Sequence, residues 1–245
     1  MASHVPTFQI MLFFTDLLPI GDDNRSVRHF PFVTYLLIIA NVAVFFLLQW
    51  HHPMFTYGYS VIPREILTGV DLVHKAGGVP QAPGPYPIYL TLFTAMFMHG
   101  SILHLGGNML YLWIFGDNVE EAFGHGRFLA FYLICGLVAA FAQIAVVPHS
   151  VLPSLGASGA IAGVLGGYIW MFPRQRVRVL VGCFFTIELW AFVVIGLWIV
   201  LQLMSGYGEL SVATQHNSGG VAYFAHIGGA FAGLLLTPFL RKRVK

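Results

Sequence analysis

Long apolar runs separated by short polar breaks set the pattern of this chain, and the runs have the length of membrane-crossing helices. Phe32 to Trp50 is nineteen residues without a charge, one span at a rise of about 1.5 Å per residue. His51 to Pro87 is polar and rich in proline, too polar to cross and too long for a simple connection, which predicts a structured loop. Ile88 to Gly116 is apolar over twenty-nine residues, more than one ordinary span. His99-Gly100-Ser101 divides it into a segment 88–98, dipping into the membrane or lying along it, and a second span over about 102–120. GDNVEEAFGHGR (116–127) is a polar turn. Phe128 to Val147 is the third span, ended by Pro148, and Ser154 to Phe172 is the fourth. After the basic connection PRQRVR (173–178), Val179 to Met204 is again longer than needed, so the fifth span takes its second half and VLVGCFFTIE sits at the interface. Gly206 to Gly219 is a polar loop, and Val221 to Leu240 is the sixth span. The expected fold is an all-α polytopic membrane protein of six transmembrane helices. It divides into an N-terminal arm, 1–30, a six-span domain, 31–240, and a basic tail, 241–245.

Composition changes this picture only by strengthening it. The chain is 57% hydrophobic and 9% charged, where a soluble domain carries about a quarter charged residues, so an integral membrane protein is expected. The positions of the charges say more than their sum. Six spans put both termini on one side, and ten of the twelve Lys and Arg residues fall on that side; only Arg64 and Lys75 fall on the other. Both termini are therefore expected in the cytoplasm, with the start of the fourth span near the outer face. Cys135 and Cys183 show no CxxC or Cys/His spacing and read as reduced packing residues. Eleven histidines are present but no HExxH, the commonest metalloprotease signal, so neither metal nor cofactor is expected. The first thirty residues carry no signal-peptide pattern.

Candidate chemistry begins in the fourth span, SLGASGAIAGVLGGYIWMF. Glycines 159, 163 and 167 recur every four residues and form one helix face that admits close approach. Ser158 sits beside that face, and on this stretch alone it reads as a packing residue. A nucleophilic role needs a base at the same height on a neighbouring helix. Ser158 lies fifteen residues from Pro173, and His226, in YFAHIGGAFAG, lies fifteen from Arg241, so both stand about 22 Å above the inner edge. Gly229 and Gly233 share a face with His226 and offer a second small-residue surface. Matched depth and matching glycine faces turn the reading towards a Ser158–His226 pair, a dyad because no span carries an aspartate near His226. His104 and Asn108, at i and i+4, reach the same level on the second span, and both are donors of the kind an oxyanion site uses. Hydrogen bonding between helices is their alternative role. Glu120 is expected to hold the inner end of the second span, and Glu188 to pair with the basic segment 174–178.

These pieces together resemble the rhomboid intramembrane serine proteases, over roughly Arg28 to Leu240. The matching stretches are HGSILHLGGN (99–108), the VE of DNVEE (119–120), GASG (156–159) and AHIGGAFAG (225–233), in the family's order and spacing. The resemblance is to the bacterial type and implies a six-helix core with a membrane-embedded first outer loop. It implies Ser158 as nucleophile, His226 as general base, and His104, Asn108 and the Ser158 N–H as oxyanion donors. The implied activity is cleavage of transmembrane protein substrates near the outer face of a plasma (inner) membrane, with lipid and substrate as partners and no role for metal or nucleic acid. An inactive, helix-binding rhomboid-like protein is the alternative, which the presence of both Ser158 and His226 disfavours. Two departures stand out. Leu90 and Thr91 occupy the place of a frequent Trp-Arg pair, and Ala162 that of an aromatic which packs on the catalytic histidine; Tyr223 or Phe224 is a possible substitute for it.

Overall fold

The computed structural model describes residues 17–25, 27–74, 76–182, 185–212 and 222–242, with the backbone alone for 17 and 207–212. Helix α1, Phe32–Gln49, ends in a π-helical turn. Two short helices, α2 (Pro53–Tyr59) and α3 (Pro63–Thr68), follow in the loop. Next come α4 (Ile88–Phe97), α5 (Ile102–Phe123), α6 (His125–Val146), α7 (Ser158–Met171), α8 (Ala191–Val212) and α9 (Tyr223–Leu240). Among the described residues α1, α6 and α9 are each long and apolar enough to cross a membrane. Helices α4 and α5, bent by 77° at their break, make a fourth candidate, while α7 and the Ala191–Gly206 part of α8 are shorter apolar stretches.

The chain is mostly helical, yet it departs from an all-α fold. Strands β1 (Leu17–Asp22), β2 (Arg176–Val181) and β3 (Phe185–Trp190) form an antiparallel sheet in that order. In β2, Val177 and Val179 are buried while Arg176 and Arg178 are exposed, the period-two alternation of a strand with one covered face. That signal is hard to read in sequence because β3 runs directly into the apolar α8. Glu188 stands opposite Arg178 in the β2–β3 register, beside the basic segment. Cys135 is a buried free thiol. The expected loop 206–219 is helical in its first half, because α8 continues to Val212; residues 213–219, Cys183, the first sixteen residues of the arm and Arg243 to Lys245 lie outside the described residues.

Helix α7 is apolar all round, so it has no face to offer water and must be enclosed; Gly159 to Tyr168 are all buried. The glycines decide which neighbours come close. The 159/163/167 face turns towards α6, where a Cβ on Gly159 would lie 2.6 Å from that of Ala139 and one on Gly163 would strike Cys135. Helix α9 brings its own glycines instead: a Cβ on Gly229 or Gly233 would collide with the carbonyl oxygens of Gly159 and Gly163. The two glycine sets therefore do not simply face each other. One seats α6 on α7, and the other seats α9 on the α7 backbone.

The opposite end of α7 is tied down by aromatic and polar contacts. The Phe115 and Tyr168 rings meet edge-on at 4.9 Å, and the Tyr168 hydroxyl donates to Asp22 of β1 at 2.5 Å. Glu120 of α5 is buried and accepts the backbone N–H groups of Val33 and Thr34 (2.8 and 2.7 Å) and the Thr34 hydroxyl (2.7 Å). A carboxylate there satisfies amides that the first turn of α1 leaves without intrahelical acceptors. Glu120 thus fastens the C-terminal end of α5 to the start of α1.

Candidate active site

Ser158 is the first residue of α7, and the turn before it is held by three backbone hydrogen bonds. Gly156 adopts φ +133°, a conformation that side-chain-bearing residues rarely take. Its N–H donates to the Ala95 carbonyl at the end of α4 (2.9 Å), and Ser154 exchanges two backbone hydrogen bonds with Val61 (2.9 and 2.8 Å). As the opening residue of a helix, Ser158 has an N–H with no intrahelical acceptor.

His226, from the first turn of α9, is buried. Its Nε2 lies 2.7 Å from Ser158 Oγ. On the other side of the ring Nδ1 lies 2.8 Å from Oε1 of Gln202 in α8. The Trp198 ring, one helical turn before Gln202, sits 5.6 Å from the imidazole at 37°. The aromatic found against His226 is thus Trp198, from a different helix than Tyr223 and Phe224.

His104 is in the first turn of α5, whose N-cap Ser101 accepts its N–H at 3.1 Å. The Gly100 N–H donates to His104 Nδ1 at 3.4 Å, which leaves Nε2 as the N–H donor of the neutral ring. That edge faces the Gly156 turn: a Cβ on Gly156 would lie 3.1 Å from His104 Nε2 and 3.5 Å from Ser158 Oγ. Asn108 stands one turn further along α5. Its Nδ2 is buried and finds no hydrogen-bond partner among the described residues. The break before α5 is fixed by Gln49 of α1, which bonds both backbone groups of His99 (2.9 and 3.1 Å).

A small cavity of about 50 Å³ opens beside Ser158, lined among others by Met96, Gly136, Ala139, Leu155 and Gly159. A larger open groove of about 720 Å³ lies at the other end of α7, by Asp23, Arg25, Phe172 and Arg174. It brings together no nucleophile and base. Among the described residues no cluster of three His, Cys, Asp or Glu side chains is arranged to hold a metal ion.

The structure brings Ser158 and His226 into hydrogen-bond contact and His104 against the turn before Ser158, with Asn108 behind it. Sequence reasoning missed Gln202 and Trp198. The signal was present, since Gln202 is an isolated amide in the apolar run AFVVIGLWIVLQLM, with Trp198 four residues before it on the same helix face.

A family model described as the Rhomboid domain matches residues 88–243. The chain is 27% identical over 224 residues to Rhomboid protein 1, mitochondrial, of Saccharomyces cerevisiae, an alignment covering 87% of this chain and 54% of that protein. It is 30% identical over 212 residues to Rhomboid protease GluP of Bacillus subtilis, covering 86% of this chain and 35% of that protein. To Rhomboid-like protein 11, chloroplastic, of Arabidopsis thaliana it is 32% identical over 167 residues, covering 64% of this chain and 54% of that protein. The chain thus spans about half, or less, of the length of these curated relatives.

Proposed function

The chain belongs to the rhomboid family, and from that premise we propose that it is a serine endopeptidase that cuts transmembrane protein substrates within the membrane. The observation that carries this reading is the 2.7 Å contact between Ser158 Oγ and His226 Nε2. In the proposed reaction the Ser158 hydroxyl donates its proton to Nε2 as Oγ attacks the scissile carbonyl. His104, Asn108 and the Ser158 N–H bind the oxygen that becomes negative. His226 then protonates the leaving amine, and a water, deprotonated by the same imidazole, releases the acyl group from Ser158. The 50 Å³ cavity favours a small substrate side chain next to the cut bond.

The proposal includes a six-span arrangement in which α7 and α8 cross with the four longer candidates and α4 lies within the membrane as part of the first loop. Helix α7 has 14 residues, about 21 Å at the α-helical rise, so its first residue sits below the outer surface of a core roughly 30 Å thick. The basic segments put both termini in the cytoplasm of a bacterial plasma membrane. Substrate helices enter sideways from lipid and unwind at the site, since a backbone still in helical hydrogen bonds presents no free carbonyl.

The test is cleavage of a reporter transmembrane substrate, with labelling by a fluorophosphonate, in the unsubstituted chain and in Ser158→Ala. Both signals are expected in the former and neither in the latter, which should still insert. Substantial proteolysis by Ser158→Ala would end the assignment, and a folded, unsubstituted chain that neither cleaves nor labels would favour a helix-binding protein.

A further inference from the structure

We propose that Gln202 is the positioning residue for His226, so that the site works as a Ser–His–Gln arrangement. This deepens the protease reading and rests on it. A neutral imidazole carries one proton, and only the form protonated at Nδ1 leaves Nε2 free to accept from Ser158. Gln202 Oε1, 2.8 Å from Nδ1, is an acceptor and selects that form. The same oxygen steadies the imidazolium produced when Nε2 takes the serine proton.

An amide suits the place better than a carboxylate. Ser158 and His226 are surrounded by apolar helices, where an ionised aspartate would lose its hydration at large cost. An uncharged acceptor fixes the tautomer without introducing a buried charge, as asparagine does in the Cys-His-Asn proteases. Gln202 is itself 8% exposed, and the site restricts both ring freedoms from one helix. Gln202 sets the ring's edge through Nδ1, and Trp198, one turn earlier on α8, covers its face. A glutamine serving only to join α8 to α9 would have no need to meet the ring nitrogen opposite the serine.

The test compares Gln202→Met, of similar length without an acceptor, with Gln202→Glu, which keeps one. Gln202→Met is expected to lower kcat by about 10–10²-fold with KM and thermal stability unchanged, a loss below that of the aspartate-to-asparagine change in a Ser-His-Asp triad. Gln202→Glu is expected to recover most of that loss in kcat while lowering thermal stability, the cost of a carboxyl in this apolar place. A direct readout is ¹⁵N NMR of histidine-labelled protein, with His226 assigned by its absence in His226→Ala. The Nδ1-protonated form should dominate in the unsubstituted chain and give way to the other tautomer in Gln202→Met. Near-normal kcat in Gln202→Met, or an unchanged His226 tautomer there, overturns the proposal. Its failure and that of the protease reading are distinguishable, because the tautomer is read without turnover whereas the protease reading stands or falls with Ser158→Ala.

Discussion

Gly156, with its positive φ and no side chain, leaves open the place where a Cβ would stand between the His104 edge and Ser158 Oγ, and on the proposed mechanism that is where the oxyanion forms. His104 and Asn108 had two readings in sequence, oxyanion donors or hydrogen-bonding links between helices. Among the described residues the Asn108 Nδ2 donor is buried and has no partner, so it makes no such link there. Removing an oxyanion donor commonly lowers kcat by about 10²–10³, whereas loss of one interhelical hydrogen bond costs about 0.6 kcal/mol on average. Asn108→Ala and His104→Ala are therefore expected to lose turnover with little change in thermal stability, measured side by side on the purified chain. Normal turnover with a lowered melting temperature in both would make them structural. Ser158, His226, His104 and Asn108 were legible in sequence because helical rise converts residue number into depth. Gln202 and Trp198 stood out as an isolated amide and an aromatic one turn apart but could not be set at that depth, since their helix lacks a polar boundary at its start from which to count.

At the scale of the elements, glycine spacing in the fourth and sixth spans announced close packing but not the pairing. Four-residue periodicity identifies a face without naming what it meets. The structure assigns Gly159 and Gly163 to α6 and gives Gly229 and Gly233 the approach to the α7 backbone. That approach holds His226 within reach of Ser158. Gly229→Ala would drive a methyl group into the Gly159 carbonyl, one residue from the nucleophile. A cost of about 1–3 kcal/mol is expected, as for other overpacked cores, together with weaker fluorophosphonate labelling as α9 moves away. Gly196→Ala in α8 is the control, because nothing lies within 4 Å of its added methyl; it should label normally and melt no lower. Equal behaviour of the two variants would mean that backbone contact between α7 and α9 does not position the base. The sheet was the element that sequence hid. Leu17 to Asp22 pairs with a strand more than 150 residues away, and so long-range a pairing leaves no local trace beyond the alternation in β2.

For the whole molecule, the order of the apolar helices could be read from hydropathy, because an apolar setting makes helices satisfy their own backbone, whereas the C-terminal end of α8 at Val212 could not. Tertiary ties outside the spans could not either, as they join residues far apart in sequence. Two carboxyls outside the spans carry a pH dependence. Burial pushes Asp22 up to about 7 against the pull of the Tyr168 hydrogen bond, with the Asp117 and Asp23 carboxylates adding to the rise. Burial also pushes Glu65 in α3 up to about 7, against the hydrogen bond from the Leu72 N–H and with Asp71 adding. Both carboxyls keep their protons in the fold at pH values where the unfolded chain has released them. The native state then binds more protons than the unfolded one, and the slope of stability with pH is negative. The two groups stabilise the fold fully below their unfolded values of 3.8 and 4.5 and lose that contribution as pH rises through about 7. The melting temperature in detergent is expected to fall between about pH 5 and about pH 7 and to level off above. Asp22→Asn with Glu65→Gln, which mimic the protonated forms, should flatten that decline while leaving Ser158 and His226 untouched. A melting temperature that rises over this range, or a decline as steep in the double variant, would show that these carboxyls ionise freely and that the fold's pH response comes from elsewhere.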